Sequence, residues 1–149
     1  MIRERMASRD DRRLVQLIVR ELVPYARMAR PDTKWTRKEL LERLDANTVL
    51  VAVSRRLEPP RGFLAYHIRD RSLHLDMLAV GREQQGRGYG SALIEAAERA
   101  GVAAGCVDAK LFVDEPNGRA RRFYARRGYR EERYVKEMKC LLLTRRFYL

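Results

Sequence analysis

Cysteine is scarce in this chain: only Cys106 and Cys140 occur in 149 residues. They form no CxxC unit and have no histidine cluster beside them, so no metal site is expected and no disulfide framework is suggested. Both are read as small buried or half-buried side chains. No apolar run approaches the roughly 20 residues that span a bilayer. The N-terminal MIRERMASRDD lacks the apolar centre of a secretion signal. A cytoplasmic protein that does not enter the membrane is therefore expected. No Gly-Lys pair occurs anywhere, which excludes a nucleotide-triphosphate P-loop. Internal repeats, low-complexity segments and linkers are also missing, and the length suits one domain over residues 1–149. Acidic residues are in deficit, 20 against 32 Lys and Arg, for a formal charge of +12. That balance suits polyanionic partners such as nucleic acid, ribosomes, anionic cofactors or acidic membrane surfaces, and it equally serves solubility.

Apolar residues at Leu14, Ile18 and Leu22, with Val15 and Val19 alongside, have helical spacing from Ser8 to Val23, and Pro24 is expected to end that helix. Residues 25–35 have no clean period and read as a loop. Thr36-x-x-Glu39 is a capping-box pattern that opens a helix to about Leu44. Three strands are expected next: 47–53, 62–68 after the turn Glu58-Pro-Pro-Arg-Gly62, and 72–80 after the tight connection Asp70-Arg71. Leu93, Ala96, Ala97, Ala100 and Ala104 then mark a helix that Gly101 and Gly105 help to stop. A strand at 109–113 follows, and Asn117 starts a helix bearing Ala120, Phe123 and Tyr124 on one face. Gly128 is read as a left-handed cap, and from Tyr129 one or two strands follow, with YVKEMKCLL the clearest stretch. The order α–α–β–β–β–α–β–α–β gives a three-layer α/β or α+β domain with a mixed sheet.

Between the third strand and its helix lies REQQGRGYGSAL, with glycines at 86, 88 and 90. A strand entering a glycine loop that enters a helix points main-chain N–H groups outward at the positive end of the helix dipole. Successive N–H groups make a concave nest for an anion, and the ligand this favours is phosphate. A dinucleotide fingerprint needs glycines at offsets 0, 2 and 5. Here the third position falls on Ser91 or Leu93, so that class is excluded.

Gln85-Gly86-Arg87-Gly88-Tyr89-Gly90 resembles the Q/R-x-x-G-x-G/A signature of the GNAT family of N-acetyltransferases. Asn117-x-x-Ala120-x-x-Phe123-Tyr124-x-x-x-Gly128-Tyr129 is similar to a second segment of the same family, and the element order agrees from residue 8 to about residue 140. The resemblance implies a mixed sheet flanked by helices, with two splayed parallel strands around acetyl-coenzyme A. It implies that the loop amides of Gln85, Gly86, Arg87, Gly88, Tyr89, Gly90 and Ser91 hold the diphosphate. It further implies that the main chain of Leu78, Ala79 and Val80 bonds the pantetheine arm, and that Asn117 reaches toward that arm. Arg82 and Arg87 are candidates to offset phosphate charge.

An acetyl transferase must supply a neutral amine and protonate a departing thiolate. Tyr124 falls where the family's hydroxyl lies near the sulfur. A phenol with a pKa of about 10 is near enough to a thiol's ~8.5 to give up its proton. Asp76, a carboxylate inside a strand, is the candidate general base; His74 shares its strand parity, and Asp114 and Glu115 stand in reserve. A water relay is the other route. Tyr25, Met28 and Trp35 are candidates to line the acceptor site. The tail departs from the family: about a dozen residues separate Gly128 from Leu141-Leu142-Leu143, where relatives close with a two-strand hairpin. The basic segment 119–139 is read as the exposed side of the last helix. The expected partners are acetyl-CoA and an amine acceptor on a small molecule or a peptide; a homodimer is left open, and neither a membrane nor nucleic acid is favoured. A coenzyme-A sensor with little catalysis and a basic nucleic-acid-binding domain are the competing readings.

Overall fold

The computed structural model describes residues 1–147. In chain order the elements are β1 (Ile2–Glu4), α1 (Ala7–Leu17), a π-helical turn (Ile18–Leu22), α2 (Val23–Ala29), α3 (Arg37–Asp45), β2 (Thr48–Ala52), β3 (Gly62–Arg69), β4 (Ser72–Val80), a 3₁₀ turn (Arg82–Gln84), α4 (Tyr89–Ala103), β5 (Asp108–Asp114), α5 (Gly118–Arg126), β6 (Arg130–Val135) and β7 (Cys140–Arg146). The strands form one sheet in the order β1-β2-β3-β4-β5-β7-β6. Among the described residues only β4 and β5 pair in parallel; the other neighbouring pairs are antiparallel. The mixed three-layer architecture expected from the sequence is the one observed.

Strand β4 alternates half-buried and buried residues without a break, yet its buried residues feed two different cores. Leu73 and Leu75 pack with Leu93, Ile94 and Ala97 of α4, whereas Met77 and Ala79 pack with Leu14, Leu17, Leu40 and Leu44 from α1 and α3. The register explains this: Tyr66 pairs with Leu75 and Ala65 with Met77, so Asp76 is an extra residue in the ladder. A bulge shifts the side-chain phase by one, which moves the following residues to the opposite faces.

Four local expectations are corrected. Pro24 does not end the first helix. The Val23 N–H bonds to the Ile18 carbonyl in a π-type turn, and Pro24 then sits in the first turn of α2, where a missing N–H costs nothing. The segment read as a loop from residue 25 is therefore helical to Ala29. Gly101 does not stop α4; it is buried inside it, where an added Cβ would lie 3.2 Å from Leu73. The tail does form a hairpin: β6 and β7 flank the short turn 136–139, and YVKEMKCLL contains that turn rather than one strand. The strand β1 escaped sequence reading because three residues carry no usable period; it is held by pairing with β2.

The Thr36 cap is confirmed, its hydroxyl oxygen accepting the Glu39 N–H at 3.1 Å. Asp70 and Arg71 adopt φ values of 52° and 63°, the two-residue turn whose twist suits a hairpin.

Candidate active site

Strands β4 and β5 pair only from Ser72–Asp108 to Leu75–Leu111. Beyond Leu75 the bulge at Asp76 turns β4 away, and β4 has no strand partner on its β5 side. Leu78, Ala79 and Val80 still pair with Leu64, Phe63 and Gly62 of β3, so one edge of their main chain faces an open cleft. The cleft runs into the glycine loop. Gly86 and Gly88 have φ of 79° and 86°, and a Cβ at either would meet nothing within 4 Å. These left-handed residues re-aim the chain so that Gly88 becomes the N-cap of the 15-residue helix α4 with no side-chain cap. Among the described residues, no main-chain N–H from Gly86 to Ser91 donates to another group of the chain. Six adjacent donors at a helix N-terminus, all open, form a ready anion site.

Gln85 braces the loop. Its Nε2 donates to the Val80 carbonyl at 2.9 Å, and its Oε1 is fully buried with no partner among the described residues. Arg87 is exposed and, among the described residues, bonds only Gln84, at 3.3 Å. Tyr89 is held through its hydroxyl by Arg61 at 3.1 Å. Gly90 lies under Phe123, whose ring would sit 3.5 Å from an added Cβ, so α5 packs close to the start of α4. Asn117 Oδ1 caps α5 by accepting the Ala120 N–H at 3.2 Å.

Tyr124 is 7% exposed and belongs to the core cluster with Leu75, Leu111 and Val113, the residues at the mouth of the split. Its ring meets Phe123 and Tyr129 edge-on at 5.3 and 5.6 Å. The buried side-chain polar atoms without a partner are Gln85 Oε1 and Arg127 Nε. Among the described residues the Tyr124 hydroxyl also bonds nothing, and it is not one of these fully buried atoms. Burial pushes this phenol well above its ordinary value, which revises the expectation of a near match to a thiol in water. The low-polarity surroundings that disfavour the phenolate disfavour a thiolate as well.

On the opposite face of the sheet, Asp76 is fixed rather than free. Arg43 of α3 donates to both its oxygens at 2.7 Å, and Asn47 Nδ2 donates to one at 3.0 Å. His74 lies on this face, stacked on His67. Arg43 also sits 4.9 Å above the Trp35 ring, and the two line a cavity of about 250 Å³ with Glu39 and Leu40. Arg30 bonds Asp114 at the end of β5 and the Met138 carbonyl in the β6–β7 turn, tying together the segments that wall this side. Met28, Trp35, Phe112 and Met138 are exposed here; Tyr25 is half-buried. Sequence reasoning missed Arg43, Asn47 and His67. The last was within reach, because the two-residue turn at Asp70-Arg71 sets His67 opposite His74.

The model of the acetyltransferase (GNAT) family matches residues 14–129. The chain belongs to the GNAT acetyltransferase family. GNAT proteins transfer acetyl groups from acetyl-coenzyme A, and both the activity and the cofactor follow for this chain. The fold is shared with the PaiA N-acetyltransferase of Thermoplasma acidophilum in complex with coenzyme A, at a TM-score of 0.78 and 18% identity over 99% of this chain and 98% of that one. Ard1 of Thermoplasma volcanium gives 0.78 and 19% over 98% and 96%. The ribosomal-protein-alanine N-acetyltransferase of Brucella melitensis gives 0.73 and 16% over 99% of both chains. No curated protein matches the chain by sequence. No helix among the described residues is long and apolar enough to cross a membrane.

The GNAT cofactor fits what this chain presents. A diphosphate needs an open row of donors, and Gly86 to Ser91 offer one. An extended amide arm needs an unpaired strand edge, and β4 offers one beyond the bulge.

Proposed function

We propose that this GNAT enzyme acetylates a primary amine of a small molecule or of a peptide, by direct attack within one ternary complex. The observation that carries the reading is the row of undonated N–H groups from Gly86 to Ser91, set at the open end of the β4–β5 cleft. Acetyl-CoA supplies a thioester carbonyl as the electrophile. The loop amides and the α4 N-terminus neutralise its diphosphate, with Arg87 adding positive charge from within the loop. The β5-facing main chain of Leu78, Ala79 and Val80 bonds the extended arm as a missing strand would, and Asn117 reaches toward that arm. Gln85 keeps Val80 and the loop in register. Tyr124 acts as the general acid: burial keeps its proton in place at neutral pH, and its unbonded hydroxyl is free to donate to the departing sulfur. Asp76 serves the acceptor side, where its charge anchors Arg43 and Asn47. Protein acetylation by the Brucella relative supports a peptide acceptor as well as a small one.

The test is thiol release from acetyl-CoA across amino acids, polyamines, aminoglycosides and peptides, combined with thermal melts. The expected result is a raised melting temperature with coenzyme A and turnover with at least one amine class. Identical melts with and without saturating coenzyme A overturn the reading.

A further inference from the structure

Two histidines stand beside the split with no task in the scheme above. His67 on β3 and His74 on β4 are register partners, and their rings stack with centroids 5.0 Å apart and planes 9° from parallel. Asn47 fixes the outer ring. Its Nδ2 donates to Asp76 at 3.0 Å and to the Arg43 carbonyl at 2.8 Å, so its Oδ1 is the atom 3.0 Å from His67 Nδ1. An amide oxygen only accepts, so His67 Nδ1 carries a proton and donates it to Asn47. Asp76 itself already accepts three charge-assisted or amide hydrogen bonds. His74 makes no hydrogen bond among the described residues, and it sits one residue before the last β4–β5 pair, next to the bulge where the strands part. It is a base without a hydrogen-bond partner beside the opening.

We infer that His74 takes the proton from the acceptor amine, with His67, Asn47, Asp76 and Arg43 as positioning residues, and that the acceptor is an α-amino group rather than a lysine side chain or a polyamine. This rests on the function proposed above. The groups facing His74 are His67 and Arg69 from β3, Asp108 and Lys110 from β5, and, through His67 and Asn47, Asp76 and Arg43. Burial first, then His67, Arg69 and Lys110, hold the imidazole below its ordinary value against the opposing pull of Asp108, so it is a free base at neutral pH. The amine arrives as R–NH₃⁺ and gives one proton to His74. Its lone pair forms the new C–N bond as the C–S bond breaks, and Tyr124 protonates the sulfur that carries off the bonding pair. The second amine proton restores Tyr124, and His74 releases its own to solvent, for a net loss of one proton.

A base this weak selects its substrate. At pH 7 about one α-amine in seven is already neutral, against about one lysine in 2,500, from their ordinary values of about 7.8 and 10.4. The chain's formal charge of +12 also disfavours a polycation.

The experiment measures kcat against pH for the full chain with three acceptors: a lysine-free peptide with a free N-terminus, the same peptide N-blocked with one lysine, and spermidine. The expected result is at least a 100-fold preference in kcat/KM for the free N-terminus. The His74→Gln variant should lose about 10²- to 10⁴-fold in kcat together with the acidic limb of the profile. His74→Ala should regain activity with added imidazole, and coenzyme A should stabilise both variants as it does the wild type. Asp76→Asn should be slower but keep the acidic limb. The assignment is overturned if His74→Gln keeps its rate and limb, if Asp76→Asn alone abolishes the limb, or if the N-blocked lysine peptide reacts as well as the free N-terminus. Loss of coenzyme-A stabilisation in the wild type instead brings down the proposed function on which this rests.

Discussion

Replacing Tyr124 with phenylalanine removes one oxygen atom that bonds to nothing among the described residues, and this separates catalysis from stability. The ring stays packed against Phe123 and Tyr129 at 5.3 and 5.6 Å. No intramolecular hydrogen bond is lost, so the unfolding free energy should change by less than about 0.5 kcal/mol. At this size that is a shift of no more than about 2 °C in Tm. Turnover should behave otherwise. A positioned general acid contributes about 10²- to 10⁴-fold, or about 3 to 5 kcal/mol of barrier. Thiol release under saturating acetyl-CoA and acceptor measures kcat, and calorimetry measures coenzyme-A affinity, which should stay within about threefold of wild type. A kcat within a factor of two of wild type would refute the acid role. A fall in Tm beyond about 6 °C would show that the hydroxyl is a structural anchor after all.

Other outcomes follow from buried charges. Asp10 is 1% exposed and accepts from Arg3 at 2.7 and 2.9 Å and from the Met6 N–H at 2.7 Å. Asp10→Ala strands Arg3 and should cost about 3 to 5 kcal/mol in a denaturant melt. Burial works to raise the Asp10 carboxyl, but Arg3 and the Met6 N–H together hold it below its ordinary value. Its stabilisation is therefore complete above about pH 4 and lost as pH falls further, and acid melts of the variant should lack that component. At the alkaline end, burial raises both Tyr124 and Tyr129, and Glu98 raises the latter further. The unfolded chain gives up these protons above about pH 10 while the native state keeps them, so Tm should fall there, less steeply in Tyr129→Phe. Gly62→Ala places a Cβ 2.9 Å from the Ala79 carbonyl, a backbone atom on the cleft strand; it should destabilise the fold by about 1 to 3 kcal/mol.

Much of this was legible in the sequence because it rests on local rules. Glycine spacing announced the anion loop, since only glycine adopts the φ of 79° and 86° found at residues 86 and 88 without strain. The Thr36 and Asn117 caps were readable from side chains that compete for helix N–H groups. The bulge at Asp76 was not, because strict alternation in 72–80 fits a flat strand equally well, and the second core lies in residues distant in sequence. Neither was the anchoring of Asp76, because Arg43 is 33 residues away and nothing local links them. Pro24 was misread since a π-type turn supplies its own way around the missing donor.

The measurement that meets the central claim most directly is an amide NMR titration of the ¹⁵N-labelled protein with coenzyme A, and in parallel with pantetheine, which lacks the diphosphate. The row of open donors predicts large shifts at Gly86, Arg87, Gly88, Tyr89, Gly90 and Ser91 with coenzyme A, and little change there with pantetheine. Unmoved resonances from Gly86 to Ser91 at saturating coenzyme A, or equal shifts with both ligands, would contradict a diphosphate held by these amides.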